Sequence, residues 1–84
     1  MFRVYFSSRA KRSLDDVTDA RIDEVLKMLV TDPVPAKSYD VKKLQGMHDA
    51  FRIRIGDVRI VYTIIWKSST ILVSRIEKRG NAYD

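Results

Sequence analysis

Eighty-four residues, 45% hydrophobic and 32% charged, fit one small domain spanning 1–84 and bury only about 60–65% of the surface of the unfolded chain, too little for a large internal cofactor pocket. The chain has no cysteine, which excludes disulfides, a thiolate nucleophile and Cys-based zinc sites, and no apolar run nears the roughly 20 residues of a bilayer span; a cytoplasmic protein with no membrane partner and no cofactor or metal is expected. The net charge of +5 lies wholly in residues 41–84, where nine bases face four acids, because residues 1–40 balance seven against seven. That asymmetry fits a polyanion partner such as nucleic acid, and equally a diffuse solubilising charge.

Phe2 to Phe6 is short and rich in β-formers, which predicts an N-terminal strand closed by Ser7-Ser8. Either serine can cap a helix running to about Asp16, with Ala10, Leu14 and Val17 on one side and Arg9, Lys11 and Arg12 on the wet side. Thr18 is a plausible cap for a second helix, whose Ile22, Val25, Leu26, Leu29 and Val30 recur at helical spacing up to Asp32-Pro33. Its acids Asp19, Asp23 and Glu24 suit a helix N-terminus better than a metal site. The short connection favours antiparallel helices, and Pro33 and Pro35 keep the next segment non-helical.

From Ala50 the period changes to two. Phe51, Ile53 and Ile55 alternate with Arg52 and Arg54, Gly56-Asp57 interrupts, and Val58, Ile60, Tyr62 and Ile64 resume the alternation. Glycine first in a two-residue loop suits a type II′ hairpin. This register pairs Ile55 with Val58, Arg54 with Arg59, Ile53 with Ile60 and Arg52 with Val61. Phe51, Ile53, Ile55, Val58, Ile60 and Tyr62 then form a core face, and Arg52, Arg54 and Arg59 share the other. Thr70 to Ile76 reads as a third strand of the meander, before a polar tail. The predicted fold is α+β: two antiparallel helices on a roughly four-stranded, mainly antiparallel twisted sheet in the order β-α-α-β-β-β.

Two arginines directly opposite each other are unfavourable in a sheet, and a bound anion would relieve them. Three arginines can also be no more than the solvated face of an amphipathic hairpin. Arg75, Lys78 and Arg79 at the third strand and its end, and Lys42-Lys43 before the hairpin, add cations that meander topology brings near. Guanidinium suits phosphate because its planar fork donates paired hydrogen bonds and keeps its charge. Tyr83, an aromatic in the polar tail, could stack on a base or exchange a proton. The lone His48 reads as a solvent-facing loop residue, and Trp66 as packing over the sheet edge more than as a stacking platform for RNA.

The runs Lys43-Leu44-Gln45-Gly46, Phe51-Arg52-Ile53-Arg54-Ile55-Gly56-Asp57-Val58-Arg59-Ile60-Val61-Tyr62 and Arg75-Ile76-Glu77-Lys78-Arg79-Gly80-Asn81-Ala82-Tyr83 resemble the RelE group of the RelE/ParE toxin superfamily. The resemblance implies a toxin of a type II toxin-antitoxin system, a ribosome-dependent, metal-independent endoribonuclease that cuts messenger RNA in the ribosomal A site and is silenced by a RelB-like antitoxin. On the family pattern, Arg52 and Arg54 bind and activate the RNA backbone, Arg59 stabilises the phosphorane, Arg79 lies near the leaving oxygen and Tyr83 orients the nucleotide. Lys11, Arg12, Lys42, Lys43, Arg75 and Lys78 are the added RNA-binding candidates. Arginine stands where the family often has lysine at 52 and 54; a guanidinium hardly releases its proton, so any acid-base role of that lysine is in question here. The alternatives are a ParE-like toxin that binds DNA gyrase without cutting RNA, and an inactive module that only pairs with its antitoxin.

Overall fold

The computed structural model describes residues 1–17 and 19–78. Its elements are β1 (Arg3–Phe6), α1 (Ser8–Asp16), α2 (Ala20–Thr31), β2 (Asp40–Lys43), β3 (Ala50–Ile55), β4 (Val58–Ile65), a short 3-10 turn (Trp66–Ser68) and β5 (Thr70–Lys78). The sheet has five strands in the order β1-β5-β4-β3-β2. β1 runs parallel to β5, and the other three pairings are antiparallel.

The α+β class holds, with one strand more than expected. β2 is only four residues long and contains one apolar side chain, Val41, which is half-buried; so short an alternation is barely distinguishable from a loop. The hairpin pairs as its sequence dictates, with Ile55 opposite Val58, Arg54 opposite Arg59, Ile53 opposite Ile60 and Arg52 opposite Val61. In its loop the positive φ (58°) falls on Gly56 and not on Asp57, as a type II′ turn requires.

Both helices pack on one face of the sheet. Ala10 from α1 and Ile22, Val25 and Leu29 from α2 meet Ile53, Ile55, Val58, Ile60, Tyr62, Ile64, Ile71, Val73 and Ile76 in a single core. Tyr62 is fully buried; its hydroxyl donates to the Pro33 carbonyl at 2.7 Å, and its ring stacks on Phe51 across the hairpin. This one side chain joins the hairpin to the segment leaving α2. Burial raises its phenol pKa above the ordinary 10, and the charge of Asp32 adds to the effect.

Each helix starts on a side-chain cap. Ser7 Oγ accepts from the Ala10 N–H at 3.0 Å. The residue expected to cap α2, Thr18, lies outside the described residues; Asp19 is the cap, accepting from the Arg21 N–H. The Asp19 carboxylate also takes two hydrogen bonds from the Arg21 guanidinium, at 3.0 and 2.7 Å. These bonds hold its pKa down to about 2. The guanidinium in turn fills the space over Gly56, where a Cβ would come within 2.9 Å of Arg21 Nη1. The start of α2 is thus latched onto the tip of the β3–β4 hairpin. Trp66 packs edge-to-face on Phe2, ring centroids 5.6 Å apart, at the sheet edge.

Candidate nucleic-acid interface

The face of the sheet away from the helices carries the cations. Two cross-strand rows run over β5, β4, β3 and β2. One is Arg75, Val61, Arg52 and Lys42; the next is Glu77, Arg59, Arg54 and Asp40. Directly opposite residues have Cβ atoms about 4.5–5.5 Å apart, so Arg52, Arg54, Arg59 and Arg75 occupy one patch. Arg54, Arg59 and Arg75 are exposed, whereas the Arg52 side chain is only 13% exposed and lies 3.9 Å from Asp40.

A β-bulge puts Arg75 in this patch. Val61 pairs with Arg75 while Tyr62 pairs with Val73, which leaves Ser74 as the extra residue of β5. Strict alternation from Ile71 and Val73 would have turned Arg75 and Glu77 toward the helices. The bulge reverses the parity, so Ile76 enters the core and Arg75 and Glu77 face out. Ser7 supports the irregularity: its hydroxyl, which caps α1, also donates to the Ser74 carbonyl at 3.0 Å, and Ser74 Oγ donates to the Val61 carbonyl.

The other candidates divide. Lys42 joins the arginine face, but Lys43 pairs with Phe51 and Lys78 with Val58, which sets both in register with core-facing positions of the opposite side. Lys11 and Arg12 are exposed on α1, behind the sheet. Arg79 and Tyr83 lie outside the described residues. Two acids that strand periodicity does not assign to the site belong to the patch: Asp40, across from Arg54, and Glu77, across from Arg59 and 3.9 Å from Arg75. Period-two counting from the hairpin reaches neither, because one needs β2 and the other the bulge.

The same face continues toward β1 with apolar side chains. Tyr5, Ile65 and Leu72 are all exposed there. Charge stabilisation and positioning are therefore the chemistry this face can supply, since guanidinium groups stay protonated at any working pH. His48 is 94% exposed in the β2–β3 turn, beside Asp49. Among the described residues no three His, Cys, Asp or Glu side chains gather as a metal site needs, and no helix is long and apolar enough to cross a membrane.

Residues 4–83 match the family described as the ParE toxin of type II toxin-antitoxin system, parDE. RelE1 of Methanocaldococcus jannaschii is 31% identical over 85 residues, covering 98% of this chain and 94% of that protein. A chain of the archaeal RelE–RelB complex from Pyrococcus horikoshii OT3 superposes with a TM-score of 0.81 at 32% identity, over 95% of this chain and 97% of its own. A chain of the RelB–RelE antitoxin–toxin complex from Methanococcus jannaschii gives 0.77 at 25% identity, over 95% of each. With this fold and these matches over nearly its whole length, the chain belongs to the RelE/ParE toxin superfamily, in its RelE-like branch, as a toxin of a toxin-antitoxin system.

Proposed function

We propose that this toxin is a ribosome-dependent endoribonuclease that cuts messenger RNA in the A site. The observation that carries the reading is the convergence of Arg52, Arg54, Arg59 and Arg75 on one helix-free face. In the reaction the ribose 2′-oxygen attacks the adjacent phosphorus while the bond to the 5′-oxygen breaks. A 2′,3′-cyclic phosphate and a 5′-hydroxyl result, and the proton lost from the 2′-hydroxyl is balanced by one gained at the leaving oxygen. The phosphorane between these states carries extra negative charge, and fixed guanidinium groups stabilise it more than they stabilise the ground state. Arg59 is assigned that duty, with Arg52 and Arg54 gripping the backbone.

Arginine holds its proton too firmly to act as a base. Proton transfer is therefore assigned to Tyr83, and stabilisation of the leaving oxygen to Arg79. A site with so little acid-base equipment depends on prearranged RNA, which the ribosome supplies. Lys42, Lys43, Lys11, Arg12 and Lys78 add contacts to the ribosome or the message. A RelB-like antitoxin is the proposed partner, and the exposed Tyr5, Ile65 and Leu72 beside the arginines offer an amphipathic segment both kinds of contact.

Primer extension on a message under translation, with and without purified protein, tests the reading. Breaks confined to ribosome-occupied codons, absent with Arg59→Ala, are expected. The match to the ParE toxin family favours gyrase poisoning as the second reading; an intact message together with inhibited supercoiling that survives Arg59→Ala and Tyr83→Ala would establish that reading instead.

A further inference from the structure

The two carboxylates of the arginine face are arranged alike. Asp40 stands opposite Arg54 by strand register and 3.9 Å from Arg52; Glu77 stands opposite Arg59 and 3.9 Å from Arg75. Each acid therefore pairs with one guanidinium and stands across the strands from a second, so that together they flank all four. At 3.9 Å these are loose ion pairs of half-exposed acids, 52% and 38% exposed, which a competing anion can displace. The row Asp40, Arg54, Arg59, Glu77 has two negative ends around a like-charged centre, which also lessens the repulsion that cross-strand arginines impose on the sheet.

We propose that Asp40 and Glu77 determine specificity by standing in for phosphate: in the resting protein they pair with Arg52 and Arg75 and lie across from Arg54 and Arg59, so that loosely held RNA binds poorly and only a backbone presented in fixed geometry displaces both. The inference deepens the RNA-cutting reading and rests on it. An incoming phosphate must either expel each carboxylate or tolerate it at about 6 Å, a repulsion worth about threefold in affinity per acid in water. Removing both carboxylates then raises affinity about tenfold at low salt, and the gain shrinks as the Debye length falls to about 8 Å at physiological salt. Because Arg52 and Arg75, already paired internally, release fewer counterions when RNA binds, freeing them also steepens the salt dependence.

The test measures fluorescence anisotropy of a labelled single-stranded RNA of about 12 nucleotides across a salt series, with wild type, Asp40→Asn, Glu77→Gln and the double variant. Glu24→Gln, on the exposed face of α2, makes an equal charge change elsewhere, and circular dichroism checks that each variant is folded. Tighter binding by the double variant with a steeper salt slope, each single variant intermediate and Glu24→Gln near wild type, is the expected result. Three results overturn the inference: a double variant that binds no more tightly, a slope that stays unchanged, or an equal gain from Glu24→Gln. The primer-extension assay judges the cleavage reading separately. A message cut by a protein whose acids do not matter refutes only the inference; an uncut message refutes the reading on which it rests.

Discussion

Replacing Tyr62 with phenylalanine removes one oxygen from the centre of the molecule, and the structure fixes what that does at two ends of the pH scale. Near neutrality the variant loses the 2.7 Å hydrogen bond to the Pro33 carbonyl, a net loss of about 1 kcal/mol, with the stacked ring on Phe51 retained. For a domain of this size that lowers Tm by about 4–8 °C. The phenol is favoured neutral in the fold, its pKa raised above 10 by burial and by Asp32. A raised native pKa means that its stabilising contribution is complete below the unfolded value and drains away as pH climbs from 10 toward the native value. The wild type then loses about 1.4 kcal/mol per pH unit relative to the variant. Its advantage of about 1 kcal/mol is accordingly gone near pH 11. Urea denaturation of both proteins across the alkaline range measures the difference directly. Parallel stability curves, or a variant as stable as wild type at neutral pH, would refute the claim that this hydroxyl joins the hairpin to the end of α2.

Gly56→Ala forces a side chain onto a backbone with φ of 58° and displaces the Arg21 guanidinium; the conformational term alone costs about 1–2 kcal/mol, and a urea-denaturation double-mutant cycle with Arg21→Ala should show that part of the loss is shared. Ser7→Ala removes the α1 cap and the bond to the Ser74 carbonyl together, so it should destabilise by about 1–2 kcal/mol and, by loosening the bulge that turns Arg75 outward, weaken RNA binding as well. For Asp19, whose native pKa is lowered to about 2 from the usual 3.8, the contribution is present above the ordinary value and is lost as pH falls through the native one; Asp19→Asn should unfold earlier at neutral pH and show a flatter acid limb in thermal melts than wild type.

Much of the fold could be read in the residues. The switch from helical spacing to period two at Ala50, with Gly56-Asp57 between alternating runs, fixed the hairpin register pair by pair. Three features escaped for local physical reasons. β2 is held by strand pairing with β3 and by one apolar residue, so nothing periodic announces it. The bulge at Ser74 is stabilised by Ser7, 67 residues away in sequence, and it alone decides that Arg75 and Glu77 face out while Ile76 faces in. The helix cap passed from the expected Thr18 to Asp19 because a carboxylate can serve the Arg21 amide and guanidinium at once. The arginines of the hairpin were legible as a group; the acids that flank them were not, since Asp40 depends on β2 and Glu77 on the bulge.

In the proposed mechanism, cleavage chemistry resides on the sheet face and not in basic charge at large. Single-turnover cleavage of a message on saturating ribosomes separates the two, by comparing the triple variant Arg52→Gln, Arg54→Gln, Arg59→Gln with Arg9→Gln, Lys11→Gln, Arg12→Gln, which removes as much charge from the exposed side of α1. The sheet variant should lose cleavage by about a hundredfold or more, and the helix variant should cut at close to the wild-type rate. Equal losses in the two, or a loss only in the helix variant, would contradict that mechanism.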